Sequence, residues 1–121
     1  MTRIARRLLA VLAALAIAGV AHAQYPSKPV RIVVPYPAGG TSDILARTIG
    51  QKLQELWGQP VVIDNKPGAT GNVGAEIVAK SPPDGYTLML ADIGSLAISP
   101  SVFTNLPFDP VKDFAPVLMV A

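Results

Sequence analysis

Two consecutive glycines, Gly39 and Gly40, stand directly before a stretch that begins with helix-capping residues and then shows helical periodicity. The N-terminus of a helix carries unpaired backbone N–H groups and about half a positive charge. Glycine lacks a Cβ, so a ligand can approach its backbone closely. The segment from Ala38 to Thr41 therefore predicts a cradle for an anion that needs no basic side chain. The alternative is that both glycines only permit a tight turn.

Two side chains flank this loop and have two interpretations each. Asp43 falls in the first turn of the predicted helix, where it either favours the helix dipole or orders the loop or a bound water. Tyr36 either lines a pocket or covers the edge of a sheet.

A second glycine-rich segment carries Gly68, Gly71 and Gly74. Their spacing differs from G-x-G-x-x-G, and the segment follows the second predicted strand instead of the first. Asp92 lies at the tip of the third predicted strand, where a ribose-binding acid would lie. Export would separate the chain from nicotinamide cofactors, so we predict no cofactor.

The sequence contains few of the side chains that most often act in catalysis. His22 is the only histidine, it lies in a predicted leader, and the sequence has no cysteine. Histidine is the commonest general base, cysteine is the thiol nucleophile, and both are the preferred zinc ligands. We therefore predict no metal site and no catalytic residues. Carboxylate, Lys or Tyr chemistry stays open, so an exported enzyme is the alternative function.

The first 23 residues are typical of a secretory signal peptide. Three arginines precede an apolar run of 13 residues, 8–20, which is shorter than the ~20 that span a bilayer. Ala21-His22-Ala23 then fits the cleavage rule, which predicts cleavage after Ala23 and a periplasmic location. Without the three leader arginines, seven cations face eight acids, a formal charge of −1. No basic stripe remains to bind nucleic acid.

Apolar patterns and turn signals predict the order β-α-β-α-β-loop-β. The predicted strands cover residues 28–35, 60–64 and 86–91 and a last one from 115, and the predicted helices cover residues 42–57 and 72–80. The first helix should have Thr41 or Ser42 as N-cap and Gly58 just past its end. Its inward stripe is predicted to be Ile44, Leu45, Ile49, Leu53 and Leu56. The inward residues of the second helix are predicted to be Val73, Ile77 and Val78.

Alternation of this kind predicts an α/β fold with a mostly parallel sheet. Ligands of such sheets bind outside the carboxyl ends of the strands. Three loops leave those ends in this sequence, at residues 36–42, 65–71 and 92–99, so we expect the site there.

Three stretches resemble, in order and spacing, the substrate-binding proteins of the tripartite tricarboxylate transporters, the Bug family. They are YPSKPVRIVVPYPAGGTSDILAR, VVIDNKPGATGNVGAEIVAKSPPDGYTLML and ISPSVFTNLPFDPVKDFAPV. The resemblance implies a periplasmic, type II flytrap receptor of two α/β domains, which is not an enzyme. Its ligand would be a di- or tricarboxylate, an amino acid or an aromatic acid, delivered to membrane permease subunits. A receptor that serves a membrane sensor is the alternative.

The resemblance also implies where the ligand lies. The loop from Tyr36 to Asp43 would hold its carboxylate, and the loop after the third strand would face the cleft. The candidate ligand-binding residues are Tyr36, Ala38, Gly39, Gly40, Thr41, Asp43, Gly94 and Ser95, with Thr70 and Gly71 of the second loop as further candidates. Leu96 makes the third loop more apolar than in many relatives, which bears on ligand identity.

Family members are much longer than this chain. We therefore expect residues 24–121 to be the N-terminal part of a first α/β domain whose parent protein continues into a second domain. The apolar residues 114–121, which end without a turn or cap, agree with that expectation.

Overall fold

The computed structural model describes residues 24–120, so the predicted signal peptide lies outside the described residues. Three strands alternate with helices along the chain. The strands are β1 (Val30–Val34), β2 (Val61–Asn65) and β3 (Thr87–Met89). The helices are α1 (Thr41–Trp57), α2 (Asn72–Ala79) and α3 (Ser99–Val102), with a 3₁₀ turn at Ala69–Gly71 and a π-helical turn at Gly94–Ile98.

The three strands form one parallel sheet in the order β2-β1-β3. In the central strand, Val30, Val33 and Val34 are completely buried. A strand with a helix on each face reads as a nearly continuous apolar run, and β1 is apolar except for Arg31. The α/β fold with a parallel sheet, expected from the sequence, is confirmed.

Helix α1 begins and ends at glycines. Gly58 adopts the left-handed conformation (φ 65°) and donates its N–H to the Gln54 carbonyl at 3.0 Å, as predicted for the stop. The N-cap is Gly40, so the prediction of Thr41 or Ser42 was wrong. Gly40 has extended backbone angles, and the chain turns into the helix one residue earlier than the side-chain pattern indicated.

The face of α1 that packs on the sheet includes small residues and Leu53. Its buried members are Asp43, Ala46 and Gly50. The predicted stripe was wrong for Ile44 and Leu56, which are 60% and 79% exposed. The reason is close packing: even a Cβ at Gly50 would lie 3.1 Å from Ile63 Cδ1, so side chains larger than a methyl group do not fit there.

Helix α2 also approaches the sheet through small residues. Gly74 and Ala75 are buried, whereas Val73, predicted to point inward, is 41% exposed. A Cβ at Gly74 would lie 2.8 Å from Pro35 Cβ. Side chains alternate along a strand, so Pro35 lies on the opposite face from Ile32 and Val34, which form the core with α1. The two helices therefore cover opposite faces.

The strand predicted from residue 115 is absent from the structure of residues 24–120. Residues 115–120 have no regular secondary structure and pair with none of the three strands, and Met119 is 89% exposed. A strand forms only where a neighbouring strand supplies its hydrogen bonds, which apolar sequence alone does not provide. No helix in the described part of the chain is long and apolar enough to cross a membrane.

Candidate functional site

The loops that follow the three strands meet at one edge of the sheet, as the parallel topology requires. Gly71, at the end of the second loop, adopts a positive φ of 90°. A Cβ there would lie 3.1 Å from Ser95 Cβ and 3.4 Å from the Tyr36 hydroxyl. Because glycine leaves this space free, all three loops come into contact at this point.

An open cleft of about 390 Å³ lies where the first and third loops face each other. Its lining residues are Tyr36, Pro37, Gly40, Thr41, Ser42 and Asp92. The first five belong to the turn from β1 into α1, and Asp92 follows β3. The cleft therefore contains the start of α1 on one side and a carboxylate on the other.

Backbone amides at the start of α1 are free to bind a ligand. Among residues 24–120, the N–H groups of Thr41 and Ser42 have no hydrogen-bond acceptor. The N–H of Gly39, by contrast, donates to Asp43 Oδ2 at 2.8 Å. The free donors in the cleft therefore lie later in the chain than Gly39 and include the first two residues of the helix.

Asp43 is buried beneath the first loop, with a side chain that is only 4% exposed. Its Oδ2 also accepts from Arg47 Nε at 3.0 Å, and its Oδ1 accepts from Asn65 Nδ2 at 3.0 Å. Hydrogen bonds from Arg47 and from the Gly39 N–H lower the pKa of Asp43 to about 2, despite the opposing effect of burial. Of the two interpretations of Asp43, the geometry favours the one in which it orders the loop.

Asn65 fastens the first loop to the end of β2. Its side-chain amide donates to the Tyr36 carbonyl at 3.1 Å and to Asp43, and its Oδ1 accepts from Arg47 Nη2 at 3.3 Å. Sequence reasoning missed this residue. The available signal was an amide side chain at the last position of a buried strand, directly at the edge where the loops meet.

Asp92 joins the third loop to the first. Its Oδ2 accepts from the Tyr36 hydroxyl at 2.5 Å, and its Oδ1 accepts from the Ser95 N–H at 3.1 Å and from Ser95 Oγ at 3.3 Å. Burial would raise the pKa of Asp92, but the hydrogen bonds from Tyr36 and Ser95 outweigh it and lower the pKa. Asp92 is therefore ionised at neutral pH. Burial and the neighbouring Asp92 raise the pKa of Tyr36 to about 12, so the phenol stays neutral.

The structure divides the candidate residues into three groups. Tyr36, Gly40 and Thr41 line the cleft. Asp43, Gly71 and Ser95 are buried behind its walls, and Gly94 lies next to Asp92 and the Tyr36 hydroxyl. Ala38, Gly39 and Thr70 are exposed outside the lining. Ser42, Pro37 and Asp92 line the cleft although they were not among the candidates.

The acids of the described residues do not form a metal centre. No group of three or more acidic side chains in residues 24–120 lies close enough together to hold an ion. The chemistry that the cleft offers is hydrogen bonding by free amides and hydroxyls on one side and by a carboxylate on the other.

The chain matches a known protein family. The family described as "Tripartite tricarboxylate transporter family receptor" matches residues 45–121. This chain belongs to that receptor family. The protein BugT of Bordetella pertussis is 42% identical over 120 residues, which cover 94% of this chain and 37% of BugT. The chain thus spans about a third of the length of the curated relatives that it matches.

Solved structures of periplasmic binding proteins resemble this receptor chain. MatC of Rhodopseudomonas palustris with bound malate is 39% identical, with a TM-score of 0.72 over 77% of this chain and 32% of MatC. A second R. palustris protein, solved with adipate, is 44% identical, with a TM-score of 0.69 over 72% of this chain and 29% of its own. The family resemblance expected from the sequence is confirmed.

Proposed function

We propose that this chain belongs to a periplasmic solute receptor that captures a small organic carboxylate and delivers it to a tripartite membrane permease. The carboxylate lies in the cleft at the carboxyl edge of the sheet. The observation that carries the proposal is the pair of unpaired amides at Thr41 and Ser42 in a cleft of a receptor-family domain.

The local geometry suits an anion. Hydrogen bonds from backbone N–H groups to a carboxylate are charge-assisted and about twice as strong as neutral ones. The positive end of the α1 dipole adds to them. Asp43 and Asn65 hold the loop in place before the ligand arrives, so little ordering is needed on binding.

The relatives support the ligand class. Two solved structures that resemble this chain hold malate and adipate, both of which are small dicarboxylates. The described residues supply one wall of the cleft. We propose that they are part of a first α/β domain, and that a second domain closes over the ligand as in a flytrap.

The substitution Thr41→Pro tests the anion cradle because it removes the backbone N–H together with the hydroxyl group. Thr41 is the first residue of α1, where proline is well tolerated and its missing N–H costs no helix hydrogen bond. The preceding Gly40 already has the extended angles (φ −77°, ψ 171°) that a residue before proline adopts. The matched control Thr41→Ala removes the hydroxyl group and keeps the amide.

Isothermal calorimetry with malate and adipate measures the affinity of the full-length protein and of its variants. A hydrogen bond to a charged group is worth roughly 1.5–3 kcal/mol. We therefore expect Thr41→Pro to weaken binding by about tenfold or more, and Thr41→Ala to weaken it less. If the Pro variant and the unchanged protein bind with equal affinity, the amide of Thr41 does not contact the ligand and the cradle is refuted. A broad set of organic acids that gives no binding would overturn the function itself.

Chemical recovery of the bound acid distinguishes a receptor from an enzyme. We expect the ligand to leave unchanged after incubation, whereas turnover would favour the enzyme alternative. Co-purification with the permease subunits tests delivery, and capture of a sensor protein in their place would contradict it.

A further inference from the structure

Asp92 is an ionised carboxylate in the cleft that no basic side chain neutralises. Among residues 24–120, no Lys or Arg lies at ion-pair distance from Asp92. Its partners are uncharged donors, namely the Tyr36 hydroxyl, the amide and hydroxyl of Ser95 and the backbone N–H of Gly94. The hydrogen bonds therefore stabilise the negative charge of Asp92 without neutralising it.

Asp43 and Asp92 differ in how their charge is balanced. Asp43 lies beneath the first loop, and Arg47 neutralises it at 3.0 Å. Asp92 lines the cleft itself. Its hydrogen-bond partners, which include the backbone N–H of Gly94, lower the pKa of Asp92 but carry no charge. The negative charge of Asp92 thus remains available to a ligand in the cleft.

The cleft has two electrically opposite sides. The start of α1 presents the free amides of Thr41 and Ser42, which attract negative charge. Asp92 attracts positive charge and repels a second carboxylate. A ligand with a carboxylate at one end and a protonated amine at the other matches both sides, because an ammonium group supplies charge and three donors.

We propose that Asp92 is a specificity-determining residue that selects carboxylic acids bearing an ammonium group over dicarboxylic acids. This inference rests on the proposed function and narrows its ligand class. The carboxylate of the ligand binds at the start of α1, and the ammonium group binds at Asp92 beside the Tyr36 hydroxyl.

Matched ligand pairs test the proposal on the protein as it is encoded. The first pair is adipate and 5-aminopentanoate, which has an ammonium in place of one carboxylate. The second pair is malate and aspartate, in which an ammonium replaces a hydroxyl. We expect the amino compound of each pair to bind more tightly, by about tenfold for the first pair, because a charge contact changes from repulsive to attractive.

The variant Asp92→Asn removes the charge and keeps the shape. We expect it to lose the tenfold preference within the first pair and to bind adipate more tightly than the unchanged protein does. The control is Asp113→Asn, since Asp113 also lacks an ion-pair partner among the described residues and also accepts a backbone N–H, from Asp109. It lies outside the cleft lining, so the preference should not change.

A second measurement does not depend on the variant being stable. The preference of the unchanged protein should shrink as salt rises, because ions screen the charge of Asp92. A preference for adipate over 5-aminopentanoate that is the same in the Asp92→Asn variant would overturn the role of Asp92 and leave the carboxylate receptor intact. Failure of all four compounds together with every other organic acid would overturn the receptor function.

Discussion

Replacing Gly74 by alanine places a methyl group against the backbone at the end of β1. The new Cβ would lie 2.8 Å from Pro35 Cβ, 3.0 Å from Pro35 Cα and 3.2 Å from the Lys66 carbonyl oxygen. A proline ring and backbone atoms cannot rotate out of the way. Helix α2 or the loop that carries Tyr36 must therefore move.

Two opposing effects set the magnitude. Alanine is favoured over glycine in a helix by about 1 kcal/mol. Overpacking a tight interface costs roughly 1–3 kcal/mol, and contact with rigid atoms belongs in the upper part of that range. We therefore expect Gly74→Ala to lower the free energy of unfolding by about 1–2 kcal/mol.

Gly50→Ala is the matched control, since it is the same exchange in the interior of the other long helix. Its Cβ would meet Ile63 Cδ1 at 3.1 Å and Val61 Cγ1 at 3.2 Å, which are terminal atoms of side chains that can shift. We expect its free energy of unfolding to stay within about 0.5 kcal/mol of the unchanged protein or to rise. Equilibrium unfolding in urea measures both variants. If Gly74→Ala proves as stable as Gly50→Ala, the argument from rigid contacts is refuted.

Three further predictions concern the cleft. Asp43 has a folded-state pKa of about 2 against an ordinary 3.8, so its contribution to stability is present above about pH 4 and is lost as pH falls to about 2. In urea unfolding at several pH values, the free energy of unfolding of Asp43→Asn should fall less steeply between about pH 4 and pH 2 than that of the unchanged protein. The pKa of Tyr36 is raised to about 12, so its contribution to the free energy of unfolding is lost as pH rises from about 10 to 12. Ultraviolet titration of the Asp92→Asn variant should give a lower pKa for Tyr36. An unchanged value would contradict the Tyr36–Asp92 contact. Asn65→Ala removes the donor to the Tyr36 carbonyl and to Asp43 Oδ1 and should lower the free energy of unfolding by about 1–3 kcal/mol. The exposed Asn105→Ala should lower it by less than about 0.5 kcal/mol in the same assay.

Elements whose cause is local could be predicted from the sequence. The apolar run of β1, the stop at Gly58 and the helix start near Thr41 depend on residues that are neighbours along the chain. The alternation of strands and helices then required a parallel sheet. The meeting of the three loops at one edge followed from that topology, before any contact was known.

The inward faces of the helices could not be predicted in the same way. Hydrophobic periodicity placed Ile44, Leu56 and Val73 against the sheet, yet all three are exposed. How near a helix approaches depends on the side chains of the opposite strand. Here the strands admit Gly50 and Gly74 and exclude larger residues, which is a property of the packed pair and not of either sequence.

The sequence by itself determined the fold, the family resemblance and the edge of the sheet at which a ligand would bind, because periodicity, turn residues and strand order are properties of the chain. Only the tertiary structure decided which groups face the cleft. It directed the Gly39 amide to Asp43, left those of Thr41 and Ser42 free, and brought Asp92 opposite them. These outcomes depend on hydrogen bonds between residues far apart in the chain, such as the 2.5 Å contact of Tyr36 with Asp92.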